Sequence, residues 1–412
     1  MTTTAVRRPA GRVRELLPLL GPAMVAGVAY LDPGNVASNA SAGARYGYLL
    51  VWVVVVANVM AWLVQYLSAK LGLTTGQSLP ELLGHSIQSR FGRSAFWLQA
   101  ELVAMATDIA EVIGGAIALQ LLFRVPLLLG GLITGIISML LLALNRSGSH
   151  LFQHVVTGLV VIIGVGFCAG IVFAPVNGAA AVGGLVPHFT DTGSLVLAAS
   201  ILGATVMPHA IYAHSALTRD RFGGIADGTE RQRVLLATRI DVTVALAVAG
   251  TVNVAILLLA ASTLPGVTGA DTIEGAHAAI SAALGPVVAT LFAVGLLASG
   301  LASTSVGAFA GAEIMHGLLR ARVPIVARRV ITLVPALAVL ALRVDPTFAL
   351  VLSQVVLSFG IPFALIPLVR YTSRRSLLGD ATNRWWTTVF AIVVAVLLIS
   401  LNITLIVLLV AG

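Results

Sequence analysis

The chain has 412 residues, of which 58% are hydrophobic and only 10% are Asp, Glu, Lys or Arg. A water-soluble domain carries about 25% charged residues and still has a large surface to cover with polar groups, so this composition excludes a soluble globular protein and, equally, a disordered chain. The single cysteine, Cys168, excludes an intramolecular disulfide, while the net charge of +8 admits a nucleic-acid partner until the basic residues are placed.

Apolar segments long enough to cross roughly 30 Å of hydrocarbon recur along the chain. They fall at 16–40, 47–69, 96–120, 125–144, 151–174, 194–217, 235–260, 284–311, 328–344, 347–369 and 386–410, eleven in all. Only helices and closed barrels satisfy the backbone in lipid, and an uninterrupted run such as 386–410 is too long and too uniformly apolar for a barrel strand. The pattern predicts an all-α integral membrane protein. The first segment runs into Asp32, Pro33 and Asn35 without a processing end, so it reads as a span and not as a cleaved signal peptide.

With the N-terminus in the cytoplasm, 21 of the 24 basic residues fall on the cytoplasmic side, leaving Arg45, Arg124 and Arg343 outside. That asymmetry sets the orientation and, with eleven spans, places the C-terminus outside the cell membrane. It also removes the nucleic-acid reading, because the positive residues mark loops on one face. The outer loops near 173–193 and 261–283 hold no Lys or Arg and read as turns and short surface segments. No segment is long enough to be a soluble catalytic domain.

The first span contains the sequence from Val28 to Asn39, in which Pro33, Gly34 and Asn35 follow Asp32. Proline removes a backbone donor and clashes with the preceding turn, so the helix is expected to stop near Leu31 and restart near Val36. The break exposes carbonyls beside the Asp32 carboxylate, and a charge at mid-span needs a partner or a function. A plain proline kink with a carboxylate satisfied by neighbouring helices is the structural alternative. In the sixth span Pro208 again interrupts an apolar run, between Met207 and His209. The two breaks each lie in the first span of a consecutive set of five, and the later set enters from the opposite side. Paired interruptions of this kind point to an inverted-repeat transporter with a site between its broken helices. The predicted organisation is a cytoplasmic tail (1–15), a first five-helix repeat (16–174), an outer loop (175–193), a second repeat (194–370), a cytoplasmic loop (371–385) and an eleventh helix with the C-terminus (386–412).

Met207 gives such a site a chemical character. A thioether competes poorly with water for Ca²⁺ or Mg²⁺ but suits a transition metal; Asp32 supplies charge, Asn35 an oxygen, and carbonyls near Ala29 and Ala204 can complete the shell. For Met207 alone, ordinary packing beside a kink is the favoured explanation; opposite the Asp32/Asn35 break the ligand reading takes its place. In the third span Glu101, Asp108 and Glu111 lie on or near one helical face. With His209, His214, Arg328 and Arg329 they form either a proton route or a structural ion-pair network. Gln354 and Asn253 place amides inside spans, where helix–helix hydrogen bonding competes with substrate contact.

Three stretches, Asp32-Pro33-Gly34-Asn35, Met207-Pro208-His209 and Ala106-Thr107-Asp108-Ile109-Ala110-Glu111, resemble motifs of the natural-resistance-associated macrophage protein family of divalent metal transporters. Its bacterial branch consists of proton-dependent manganese transporters. The resemblance runs from about Leu17 through the eleventh span, with Gln65 to Gly72 and Gln354 to Phe359 as further markers. It implies an amino-acid-transporter-like five-plus-five inverted repeat with discontinuous helices 1 and 6 and an appended eleventh helix. It implies metal ligands at Asp32, Asn35 and Met207, at the carbonyls of Ala29 and Ala204, and at Gln354 in an occluded shell. The proton-linked residues it implies are Asp32, Glu101, Asp108, Glu111, His209, Arg328 and Arg329, with His214 as the second histidine of span 6. The implied function is proton-coupled import of Mn²⁺, with Fe²⁺ also admissible, by alternating access. Metal ions and protons are then transported substrates, with no permanent cofactor, no enzymatic step, no nucleic acid and no obligate protein partner. A proton-linked carrier of an amino acid or other small organic cation is the competing function, but an amine gains little from a thioether. The chain departs from the family pattern at Ala210, Leu301 and Ala312, and it brings Glu313 and His316 to the inner end of span 8.

Overall fold

The computed structural model describes residues 21–145, 150–225, 228–320 and 324–411; the expected N-terminal tail, the start of the first span, Arg146, Asp227 and Arg322 lie outside them. All elements among the described residues are helical. The first span is split into α1 (Pro22–Gly27), a 3-10 turn (Val28–Leu31) and α2 (Pro33–Tyr46). Then follow α3 (Val51–Thr75), α4 (Leu79–Ser86), α5 (Arg90–Phe123), α6 (Leu127–Asn145), α7 (His150–Phe173) and α8 (Gly178–Gly183). The sixth span is split into α9 (Thr192–Thr205) and α10 (Pro208–Phe222). The remainder is α11 (Thr229–Thr263), α12 (Ile273–Leu284), α13 (Pro286–Leu319), α14 (Ile325–Ala341), α15 (Pro346–Thr372), α16 (Arg375–Leu378) and α17 (Trp385–Ala411).

Eight helices among the described residues are long and apolar enough to cross a membrane, with shorter apolar pieces at Pro22–Leu31 and Leu127–Leu141. The fold is therefore an all-α, multi-spanning membrane protein. The segments expected as turns and surface loops each contain a helix, α8 and α12, started by the side-chain caps Asn177 and Thr272. Helices α5 and α11 run well past the limits read from hydropathy, because polar first turns such as Thr229–Arg233 continue the helix out of the apolar layer.

The distribution of side chains is that of a lipid-solvated bundle. Val165, Ile136, Leu140 and Val396 are exposed, while Asp32, Asn35, Glu111, His209, Arg329 and Gln354 are at most 1% exposed. Apolar groups tolerate the lipid side, whereas each buried polar group must find its partner inside the protein. The long α5 packs along α13 and α15, α10 lies on α3, and α11 lies on α2. Helix α17 is fastened to α15 by a reciprocal pair, Ser358 Oγ donating to Asn402 Oδ1 at 2.8 Å and Asn402 Nδ2 donating to the Ser358 carbonyl at 2.9 Å.

Candidate metal site and buried charge network

Both interruptions expected from the prolines are present, and each frees one carbonyl by the same rule. Proline cannot donate to the carbonyl four residues earlier, which is Ala29 for Pro33 and Ala204 for Pro208. At the first break Asp32 is extended (φ −68°, ψ 162°), and α2 restarts at Pro33, earlier than the restart near Val36 read from sequence. The reason is capping: Asp32 Oδ1 accepts the Asn35 amide N–H at 2.8 Å, so the helix begins directly after the acid. The Ala29 carbonyl accepts only the short-range bond from the Asp32 amide, at 3.3 Å. At the second break Val206 and Met207 leave helical geometry and α10 restarts at Pro208.

The two breaks meet at Asn35. Its Nδ2 donates to Asp32 Oδ1 at 3.1 Å and to the Ala204 carbonyl at 2.7 Å, and its Oδ1 accepts from Thr205 Oγ1 at 3.3 Å. The amide hydrogens thus occupy the bridging position between a carboxylate and a freed carbonyl, the position that suits a cation. Gln354 joins from α15, its Nε2 lying 3.4 Å from Asp32 Oδ2, while its Oε1 is buried without a hydrogen-bond partner. Gly34 makes this approach possible: a Cβ there would fall 1.9 Å from Gln354 Nε2. Met207 is fully buried immediately before Pro208. Among the described residues no group of three or more His, Cys, Asp or Glu side chains is disposed to hold a metal. The donor set at the breaks is instead one carboxylate, side-chain amides, backbone carbonyls and a thioether, which is low in charge and mixed in hardness.

A second buried constellation lies between α5, α6, α13 and α14. Arg329 is fully buried and pairs with Asp108 Oδ1 at 2.5 Å, with Glu111 Oε2 4.0 Å away. The same guanidinium donates to Ser138 Oγ at 3.1 Å and lies 3.5 Å from Thr304 Oγ1. Arg328 pairs with Glu101 Oε1 at 2.9 Å. It fits against α13 because residue 311 is glycine, where a Cβ would lie 1.9 Å from the Arg328 Cζ. The two arginines counted above among the basic residues of one face are therefore interior counter-charges. A desolvated ion pair of this kind holds its geometry only while both partners are present.

His209 follows the second break by two residues and contacts the third span. Its Nδ1 lies 3.2 Å from Thr107 Oγ1, beside Asp108 in sequence, and its Nε2 is buried without a partner. His214 is placed elsewhere: its Nδ1 lies 2.6 Å from Gln65 Oε1, and Gln65 in turn hydrogen-bonds the Tyr30 hydroxyl next to the first break. Asn253 donates to the Tyr30 carbonyl at 3.1 Å, so its amide holds the broken backbone. Tyr30, Ser138 and Thr304 escape a reading of the sequence, since single hydroxyls in apolar helices carry no spacing signal, and Thr107 stands in it only as part of a motif. Gln65 is visible only as part of a motif.

The two ends of the broken first span are closed differently. Asp241 Oδ2 accepts from the amides of Gly21 and Ala23, both at 2.9 Å, and so caps α1. Beyond α2 a cavity of about 400 Å³ is lined by Ser41, Arg45, Asp271, Asp345 and Phe348 among others. One turn toward Asn35 and Ala204, Ser38 and Ser200 share a hydrogen bond at 2.6 Å, and Ser200 donates to the Val351 carbonyl at 3.1 Å.

The chain is 58% identical over 397 residues to the divalent metal cation transporter MntH of Mycobacterium tuberculosis strain H37Rv, covering 96% of this chain and 92% of the relative. The MntH of Bacillus subtilis strain 168 is 44% identical over 396 residues, covering 96% and 93%. A crystal structure of the Eremococcus coleocola manganese transporter, in complex with an aromatic bis-isothiourea substituted compound, superposes with a TM-score of 0.85. It is 31% identical, with 97% of this chain and 88% of that one covered. The profile described as natural resistance-associated macrophage protein-like matches residues 23–408, and the chain belongs to that family.

Proposed function

We propose that this protein imports divalent transition metal, Mn²⁺ in preference and Fe²⁺ as well, together with protons across the cell membrane by alternating access. The observation that carries the reading is the meeting of the two breaks, where one amide, that of Asn35, bridges the Asp32 carboxylate and the Ala204 carbonyl. A metal ion bound there takes that bridging position after the Asn35 amide turns its oxygen inward. Asp32, Asn35, Met207 and the carbonyls of Ala29 and Ala204 are the ligands, with Gln354 closing the shell through Oε1. The similarity to a divalent metal cation transporter and to a manganese transporter supports the cargo.

Protons leave the Asp32 region through His209 and Thr107 toward Asp108, Glu111 and Arg329, with the Glu101–Arg328 pair at the far end. His214, with Gln65 and Tyr30, forms a separate branch that touches the first break. The proposed architecture has eleven spans in two inverted sets of five, 16–174 and 194–370, and an eleventh helix over 386–412. The N-terminus is cytoplasmic and the C-terminus extracytoplasmic. Withdrawing Arg328 and Arg329 from the loop charges still leaves 19 basic residues facing Arg45, Arg124 and Arg343. In that orientation the capped α1 is the closed inner end, and the cavity beside Arg45 and Asp271 is the outer approach.

The test loads purified protein into vesicles and follows Mn²⁺ entry and internal pH together. Saturable entry that acidifies the lumen is expected. Proton movement driven by an amino acid or an organic amine, with no metal entry, overturns the reading.

A further inference from the structure

We infer that Arg219 is the centre of an ionic clasp that holds the inner end of the transporter closed, with Glu81 and Glu313 as its acidic arms. The inference rests on the alternating-access reading above. Helix α10 carries Met207 and His209 at one end and Arg219 near the other. There Arg219 NH1 lies 2.8 Å from Glu81 Oε2 on α4 and 3.1 Å from Glu313 Oε2 on α13, while NH2 lies 2.7 Å from Asp220 Oδ1. One terminal nitrogen thus ties the second half of the broken helix to two other elements at once, while NH2 and Nε are held by Asp220 on the same helix.

Those two elements are themselves locked together. A Cβ at Gly84 of α4 would fall 2.0 Å from the Gly317 carbonyl of α13, and one at Gly317 would fall 2.6 Å from the Pro80 backbone. Helices α4 and α13 therefore form one rigid seat. Helix α10 docks on it through Arg219 and through Ser215 Oγ, which accepts the Leu79 amide at 3.0 Å. Glu81 is held in place on its own account, its Oε2 accepting the Ser78 amide at 2.6 Å in a capping box. The Arg219, Glu81 and Glu313 side chains are only 15–23% exposed, so water and salt weaken the contact less than they weaken a surface pair. A displacement of α10 away from this seat breaks the Arg219–Glu81, Arg219–Glu313 and Ser215–Leu79 contacts, whereas the Asp220 contact lies within α10 and moves with it.

Spin labels at His85→Cys on α4 and Phe222→Cys on α10, in a Cys168→Ser background of the full chain in lipid vesicles, report the distance across the clasp. The unmodified clasp should give one narrow distribution. Glu313→Gln, which keeps shape and removes charge, and Arg219→Gln should each add a longer-distance population, lowering the closed-to-open ratio by about fivefold, a modest coupling. Glu81→Gln, which neutralises the other acidic arm, should shift the distribution the same way, whereas salt at about 1 M should shift it less because the pairs are mostly shielded. An unchanged distribution in Glu313→Gln and in Arg219→Gln overturns the clasp, and Glu81→Gln decides where one of them does not fold. Equilibrium Mn²⁺ binding to the same labelled protein separates the two ideas. Loss of Mn²⁺ binding in the unmodified chain defeats the transport reading, whereas unchanged binding with an unchanged distribution defeats the clasp alone.

Discussion

Met207 and Gly34 show how single side chains tune the proposed shell in opposite ways, one by supplying an atom and the other by withholding one. Replacing Met207 with Ala removes the soft donor but leaves Asp32, Asn35 and the carbonyls, so Mn²⁺ binding should weaken less than discrimination against Ca²⁺. Parallel competition assays on folded protein check this, and an unchanged Mn²⁺-to-Ca²⁺ ratio would show that sulfur is packing only. The same truncation empties a fully buried position and should cost about 2–5 kcal/mol of stability, so the folded fraction is measured first. Gly34→Ala acts through Gln354. A Cβ 1.9 Å from Nε2 cannot be accommodated by a small adjustment, and Gln354 must leave Asp32. Mn²⁺ uptake should fall by roughly tenfold, about the 1.4 kcal/mol expected for one charge-assisted hydrogen bond, and Gln354→Ala should produce the same loss. If Gln354→Ala is silent while Gly34→Ala is not, the glycine is needed for the backbone and not for the amide.

At the level of elements, the breaks were legible and their consequences were not. Pro33 and Pro208 announce interruptions in otherwise uniform apolar runs, and the spans themselves are visible because lipid leaves little freedom in length. The helix restarts at Pro33 and not near Val36 because Asp32 at the N-cap with Pro33 at the first helical position is a start signal, which a reading of proline only as a breaker passes over. The pairing of Arg328 and Arg329 with the third-span carboxylates is within reach of the sequence, whereas the notch at Gly311 that admits Arg328 is a tertiary feature that carries no spacing signal. That notch is testable: Gly311→Ala should expel the Arg328 guanidinium and leave Glu101 unpaired. A loss of about 3–5 kcal/mol is the cost of breaking a buried pair, partly restored by adding Glu101→Gln. Thermal unfolding of the two variants in detergent checks the sign. The short α4 gives a pH prediction of its own. Burial pushes the Glu81 carboxyl up, but the Ser78 amide and Arg219 outweigh it and hold the carboxyl below its usual range. The stabilisation is therefore complete above the unfolded value near 4.3 and is lost as pH falls through the lower folded value. Acid unfolding of Glu81→Gln should show a shallower pH dependence below about pH 4.3 than the native chain.

Across the whole molecule the arrangement separates two charges that must move together from two sets of groups that need not. Asp32 and Asn35 sit where the broken halves meet, whereas Asp108, Glu111 and Arg329 sit among unbroken helices, where His209 contacts Thr107. In the proposed assignment the metal shell has a single carboxylate, and the second carboxylate group takes the proton without competing for the metal. Asp32→Asn should therefore lower Mn²⁺ affinity itself, and uptake should fall with it. Asp108→Asn should leave Mn²⁺ affinity within about twofold while changing H⁺ flux and its response to voltage. Removing the carboxylate also strands the buried Arg329, so the comparison is made on protein shown to be folded, with Glu111 still 4.0 Å from the guanidinium as partial compensation. Metal affinity, Mn²⁺ flux and H⁺ flux are measured in one vesicle preparation. Should Asp108→Asn abolish metal binding while native proton movement persists, the two constellations have been assigned the wrong way round, and Asp108 belongs with the metal.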